Sequence, residues 1–522
     1  MSIRSCVFVG LCALVFAAAR LEAGEKPAPE KKSFTIGKET TRITAPLDKD
    51  GYPDYAMALN DRLSEGVTKD NNAVALLCKV FGPKPEGALL VPEFYKRLGI
   101  EASPEEGQYL VDFVKFAEVK EKLEPEARER LYSLLDELGK RPWKTSEFPK
   151  VAEWLKAMEE PLKLAAEATR RPKYYHPLIV ARTERGPDSL ITCLIPMVQR
   201  CRQLGQTFTI RAMLNLGEGR TDEAWQDLLA CHRLARQISH GGTMIENLVG
   251  IALEHIAGDT DLTLLERGKL DEKKLRRIWK DWRELPAFKS VAANLDAGER
   301  FMVLESVLLV DRYGLDFMEW MGGGKRKKRE PARLKGVNWD PALKNINSFF
   351  DRVAVVLAEK DHAKRQGALT KLEMELRGLK AKIGDRLPLD LAIYVFLTPE
   401  QRGERIGNVL ITLLVPAFTK VQMAEERTTQ LLANMDAAFA LEAFRIDNGK
   451  FPKELSELVP KYLKQAPVDL FTGKGPVYRP VADGYLLYSF GPNGKDDEAR
   501  SRDDDPPGDD LVIRIPRPAR KK

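Results

Sequence analysis

The chain has 522 residues, 43% of them hydrophobic and 31% charged, with a net charge of +6 and a mean hydropathy of −0.33. That is the composition of a soluble globular protein able to bury real cores, and the length points to about three domains rather than one. The positive excess is small and spread along the chain, which argues against nucleic acid as a partner.

The first 23 residues read as a secretory signal peptide. Arg4 supplies the positive start, Cys6 to Ala19 form an apolar stretch too short to span a bilayer, and Ala17, Ala18, Ala19 and Ala23 offer small residues for cleavage. Removal of residues 1–23 takes Arg4, Arg20 and Glu22 and leaves a net charge of +5. Residues 24–50 are expected to be a linker, with Glu25–Lys32 rich in Pro and charge. Export makes disulfides chemically accessible to Cys78, Cys193, Cys201 and Cys231. Cys193 and Cys201 on one helix would be separated by about 12 Å of rise, too far to bridge, whereas Cys201 with Cys231 on neighbouring helices stays open beside buried free thiols.

Residues 51–175 form an N-terminal helical region. Tyr55–Glu65 and Asn71–Phe81 carry apolar residues at helical spacing, and Gly82-Pro83-Lys84-Pro85 ends the pair. Ser103-Pro104-Glu105-Glu106 has the makings of a helix start, with Ser as cap and Pro at the first position. Pro125–Leu138 and Phe148–Ala168 continue the pattern. Residues 176–397 form a central helical region. Its clearest signal is Leu214–Ile238, where Gly217, Gly219 and Arg220 turn the chain before Asp222-Glu223-Ala224-Trp225 opens a helix. A single copy of this hairpin argues for local helix packing rather than a repeat array. Gly322–Gly324 and the basic run Lys325–Arg329 read as a solvated loop, and residues 341–384 as two helices, the second striped by Leu369, Leu372, Leu376 and Leu379.

Residues 398–522 differ in kind. Thr398-Pro399-Glu400 starts a long helix that is expected to be interrupted at Pro416 and to stop at Asn448-Gly449. A short helix over Pro452–Leu463 and strands over Val477–Arg479, Tyr485–Phe490 and Leu511–Ile515 follow, the first two strands joined at Asp483-Gly484. The fold class predicted is therefore mainly α: a multi-helix body followed by a small α+β unit with a three-stranded antiparallel sheet. The unit has a complete set of elements and is expected to fold alone over about residues 425–516.

The run from Ala440 through Asn448-Gly449 to Pro452, then Leu458–Leu463, Tyr485–Gly491 and the final acidic loop, resembles the globular part of the major (G-type) pseudopilin of type II secretion systems over roughly residues 405–516. Val415-Pro416 is similar to the end of the pilin apolar segment. The chain departs from that family in having the unit internal, with an apolar run of 13 residues over Ile406–Phe418 and no processing motif before it. The resemblance implies a borrowed fold rather than a polymerising pilin. Segments such as Arg141-Pro142-Trp143 and Arg170–Tyr175 are similar to large exported bacterial proteins of unknown function.

Clustered carboxylates in a turn supply the oxygen ligands that calcium takes, and the loop between the last two strands is rich in them. The candidate metal ligands are Ser489, Asn493, Asp496, Asp497, Asp505, Asp509 and Asp510. The pseudopilin resemblance places Ser489 and Asp510 at calcium-ligand positions, with Asn493 where that family has Asp. No nucleophile elbow, zinc-protease helix motif, Cys-x-x-Cys or phosphate loop occurs, so no catalytic residue is assigned. The sequence thus points to a non-enzymatic periplasmic or secreted envelope protein. It would be a helical scaffold or binding body with a calcium-stabilised pseudopilin-like module, an unidentified protein partner and no membrane span in the mature chain. Two alternatives stand beside it: an accessory of a type II secretion or pilus-like system, and a helical hydrolase using Glu246, Glu254, His255, Glu299 and Glu305 as clustered acid–base groups.

Overall fold

A computed structural model describes residues 32–119, 122–180, 189–190, 193, 195–314, 317, 336–384 and 397–517. The signal-peptide segment, the basic run Lys325–Arg329 and most of Pro388–Leu397 lie outside the described residues. The architecture is mainly helical with one small sheet, as the hydrophobic periodicity predicts.

In chain order the N-terminal helices are α1 (Tyr55–Leu63), α2 (Ala73–Phe81), α3 (Pro92–Leu98), α4 (Phe113–Glu118), α5 (Pro125–Leu138), α6 (Pro149–Ala157) and α7 (Glu159–Ala168). Asp54, Asn72 and Asp112 cap α1, α2 and α4 through their side chains. The helix expected at Ser103-Pro104 does not form. Ser103 Oγ donates instead to the Cys78 carbonyl (3.1 Å), Leu110 N to the Val80 carbonyl (2.8 Å) and the Tyr109 hydroxyl to the Pro104 carbonyl (2.6 Å). The first two bonds tie the segment back onto the end of α2 and outweigh a favourable local cap, and the third closes the segment on itself.

The centre of the molecule is a three-helix unit of α8 (Val198–Gly217), α9 (Thr221–Ser239) and α10 (Met244–Arg267), joined by short turns that make neighbours antiparallel. Helix α10 is apolar around most of its circumference, and it is buried from several sides. Helix α11 (Glu272–Arg283) follows, with Leu275, Ile278, Trp279 and Trp282 buried; it packs on α9 and on the long C-terminal helix over Pro399–Asn448. Beyond a short α12 (Val291–Asn294), a π-helical turn Leu295–Glu299 leads into α13 (Arg300–Tyr313), followed by α14 (Asp340–Ala358) and α15 (His362–Gly384).

Helix α16 (Pro399–Asn448) has 50 residues and a Thr398–Gln401 capping box, and it ends at Gly449 with φ 74°. It runs through Pro416 without a break in the helix, contrary to the interruption expected there. The sheet that follows is β1 (Val477–Val481), β2 (Gly484–Ser489) and β3 (Leu511–Ile515), antiparallel in the order β1-β2-β3. Val481 pairs with Gly484, which places the hairpin turn at Ala482-Asp483, one residue earlier than expected. Ser489 pairs with Leu511, so residues 490–510 form the acidic connection.

Two apolar cores result, and α16 serves both. One gathers α2, α8–α11, the later half of α16 through Met435, Phe439 and Leu441, and the sheet through Tyr485, Leu487 and Ile513. The other gathers α13–α15 with Ile411, Phe418 and Val421 of α16. Residues 33–50 are not a free linker: Phe34 is buried in this second core, Trp339 N donates to the Ser33 carbonyl (2.8 Å), and Asn347 Nδ2 donates to the Thr40 carbonyl (2.6 Å). The four described cysteines are buried, and none is in a disulfide.

Candidate functional site

The groups with chemistry to offer fall in two places. The first is a seam between α9 and α10. Gly250 lets the two helices approach, since a Cβ there would lie 2.6 Å from the Ala235 carbonyl oxygen. One turn further on, Glu254 enters the contact. His232 sits between two carboxylates, with Nε2 2.8 Å from Asp261 Oδ2 and Nδ1 3.1 Å from Glu254 Oε2. The second oxygen of Glu254 accepts from Arg236 Nη2 at 2.8 Å, and the Arg236 guanidinium lies 4.1 Å from the Phe288 ring centre. All four ionisable groups are buried.

Burial alone would push the His232 imidazole down, but Glu254 and Asp261 outweigh it and hold the pKa at about 10. The ring is therefore an imidazolium at neutral pH, with Nε2 donating to Asp261 and Nδ1 in ion-pair contact with Glu254. Burial pushes Glu254 up, yet His232 and Arg236 together bring it below the ordinary range. Asp261 stays raised by burial, and its Oδ1 has no donor. Two cations face two anions, so the seam is neutral as a whole and closed to solvent. Further along α9, Asp227 makes a second internal pair, accepting from Arg211 Nε at 3.0 Å and from Asn215 Nδ2 at 3.2 Å.

The remaining carboxylates of the acid–base alternative each reach a different group. Glu246 closes the capping box of α10, its Oε2 accepting from Thr243 N and Oγ1 at 3.0 Å each. Burial pushes it up to about 7. Glu299 accepts from Met244 N (3.2 Å) and Glu305 from Leu190 N (2.7 Å), while His255 Nε2 meets Thr428 Oγ1 of α16 at 2.9 Å. Arg300 pairs with Asp296 and Asp351 at 2.7 Å each. Sequence reading named Glu254 but missed His232, Arg236 and Asp261. The usable signal was the spacing of four between His232 and Arg236 and of seven between Glu254 and Asp261, which puts each pair on one helix face.

The second place is the acidic loop. Asp510 is buried and accepts from Ala499 N (2.8 Å) and Asp497 N (3.3 Å). Burial pushes it up, and the nearby charges of Asp497 and Asp496 add to the rise against those N–H groups. Asp497 Oδ2 accepts from Asp509 N (2.7 Å) and Asn493 Nδ2 (2.9 Å), and Asp496 Oδ1 accepts from the Tyr488 hydroxyl (3.1 Å) and Glu498 N (2.8 Å). Asp509 is paired with Arg427 of α16 and with Arg502 (3.2 Å). Asn493, Asp496, Asp497, Asp509 and Asp510 thus meet in one turn. Ser489 points elsewhere, its hydroxyl donating to Asn434 Oδ1 (2.9 Å) and accepting from Gln430 Nε2 (2.8 Å) of α16, and Asp505 lies apart from the others on an exposed bend. These N–H and guanidinium donors take up part of the acceptor capacity of the loop carboxylates. Among the described residues no group of three or more His, Cys, Asp or Glu side chains is disposed to hold a metal ion.

Comparison with family models, with characterised proteins and with solved structures returns no match. Among the described residues no helix is long and apolar enough to cross a membrane.

Proposed function

We propose that this chain is an exported, non-enzymatic envelope protein in which a helical scaffold carries a pseudopilin-like α+β unit at its C-terminal end. The observation that carries the reading is the enclosure and mutual neutralisation of His232, Arg236, Glu254 and Asp261. An acid–base site needs an open group poised to exchange a proton with a substrate. Here the best-placed histidine is locked as a cation between two buried carboxylates, an arrangement suited to fixing helix register. The C-terminal unit adds to a scaffold reading because its long helix packs against α10, α11, α12, α14 and α15.

The test is fractionation of cells producing the tagged full chain, with N-terminal sequencing and cross-linked capture from the envelope fraction. A mature N-terminus near residue 20 or 24 and a stoichiometric envelope partner support the proposal. A chain retained in the cytoplasm and beginning at Met1, or a hydrolytic activity abolished by Glu254→Gln in a folded protein, overturns it. Calcium is not part of this proposal, because Asp509 already faces Arg427 and Arg502 and Asp510 already accepts two backbone N–H groups.

A further inference from the structure

A cleft of about 380 Å³ lies between the turn joining α1 to α2 and the C-terminal end of α3. The charged side chains in its lining are Lys69, Lys96 and Arg97, and the lining contains no carboxylate. Glu93 engages Arg97 at 3.2 Å and Lys96 at 3.9 Å, which neutralises part of this charge and leaves an excess facing the cleft. Thr68 lines the wall and its hydroxyl can donate to a ligand, while Val67 and Leu98 give the floor an apolar patch.

The wall is built before any ligand arrives. Asn72 Oδ1 accepts from Tyr175 N (2.9 Å) and its Nδ2 donates to the Tyr175 carbonyl (3.0 Å). Ala73 N donates to the Lys173 carbonyl (2.9 Å) and Lys173 N to the Asn71 carbonyl (3.1 Å). Arg171 Nη1 donates to the carbonyls of Lys69 (2.5 Å) and Asn72 (2.9 Å), which pins the turn that presents Lys69. Such preorganisation lowers the ordering cost of binding.

We propose that this cleft binds a small phosphorylated molecule. Lys69, Lys96 and Arg97 would hold the phosphate dianion and Val67 with Leu98 would contact its organic body. Three cations around one opening match a doubly charged oxyanion, and the volume falls in the range of small-ligand sites. The site stands independently of the export and scaffold reading.

The experiment is calorimetric titration of the full chain at low ionic strength with inorganic phosphate, with a hexose phosphate and with the neutral hexose. Both phosphates should bind, the hexose phosphate more tightly, and added salt should weaken both. Lys69→Gln with Lys96→Gln changes two exposed side chains and should lower affinity at least tenfold without moving the melting temperature, while Arg97→Lys should retain part of the binding. The proposal is overturned if neither phosphate gives heat, if the neutral hexose binds as well as its phosphate, or if the double variant binds like the parent. It is also overturned if anionic phospholipid vesicles bind and the soluble hexose phosphate does not.

Discussion

Glu254→Gln is the sharpest test of the buried seam. The change is nearly isosteric, so it removes a charge with little change in volume, leaving the His232 imidazolium and the Arg236 guanidinium with Asp261 as their one full counter-charge in the seam. The magnitude follows from the pKa of His232. Its rise from 6.5 to about 10, at ~1.36 kcal/mol per pH unit, corresponds to ~5 kcal/mol of preferential stabilisation of the charged ring in the folded state. A raised histidine contributes stability that is full below pH 6.5 and is lost as pH rises through about 10, so most of it remains at pH 7. Glu254 supplies part of this, and its bond to Arg236 adds the cost of leaving a buried cation unpaired. Breaking such pairs costs roughly 3–5 kcal/mol.

Denaturant unfolding of parent and variant, followed by far-ultraviolet circular dichroism, should show a loss of about 3 kcal/mol or more at pH 7. At pH 10 the gap should narrow but not close, because the Arg236 pair does not titrate there. A loss below about 0.5 kcal/mol, the scale of an ordinary surface change, would refute the reasoning. So would a gap that is the same at both pH values.

Glu246 shows the same direction over a lower pH window. Burial raises it from 4.5 to about 7, so its contribution is full below pH 4.5 and is lost as pH rises towards 7. Glu246→Gln should therefore melt above the parent at pH 8 and lose that advantage at pH 4.5, as thermal scans at the two pH values would show. Gly250→Ala should cost about 1–3 kcal/mol by pushing α9 from α10, and hydrogen exchange should localise the loosening to those two helices. Calcium at about 5 mM, well above the range of weak extracellular sites, should leave the melting temperature unchanged. A rise that Asp510→Ala removes would show that the loop rearranges to hold the ion.

Much of the helical order was legible because its signals are local. The helix in Asn71–Phe81, the Thr398-Pro399-Glu400 start, the Asn448-Gly449 stop and the strand segments each carry their signal within a few residues. Errors arose where distant partners decide. Ser103 had a good cap sequence, but its hydroxyl bonds to Cys78 instead of a new helix. Residues 33–50 looked like linker from their polarity, yet Trp339, Asp340 and Asn347, some three hundred residues away, bind them. Pro416 suggested a break, but the helix continues on both sides of it. The seam escaped for the same reason: His232 and Asp261 are unremarkable in sequence and acquire their character only when α9 lies against α10.

The C-terminal unit makes the same point about autonomy, and it can be tested directly. Its recognisable elements suggested a domain folding alone over residues 425–516, but its helix packs Phe439 against Trp279 and Trp282 of α11. Asp436 accepts from Trp279 Nε1 (2.7 Å) and Arg283 Nε (2.8 Å), and Asp447 pairs with Arg276 at 3.1 Å. Just past the last strand, Arg517 pairs with Asp259 of α10 and donates to Thr263 Oγ1 at 2.8 Å. Separated from the body, the fragment would expose Phe439 and Met435, at roughly 1.5–3 kcal/mol each. A small domain has about 5–15 kcal/mol in total, so that loss alone consumes a large share of it. The fragment 425–516 should therefore unfold without a cooperative transition and bind hydrophobic dyes, and a second fragment covering residues 198–285 should restore protection when supplied in trans. A sharp melting transition for 425–516 by itself would mean that the sheet and its helix hold their fold without α10 and α11, and that the shared core is a docking surface rather than a condition of folding.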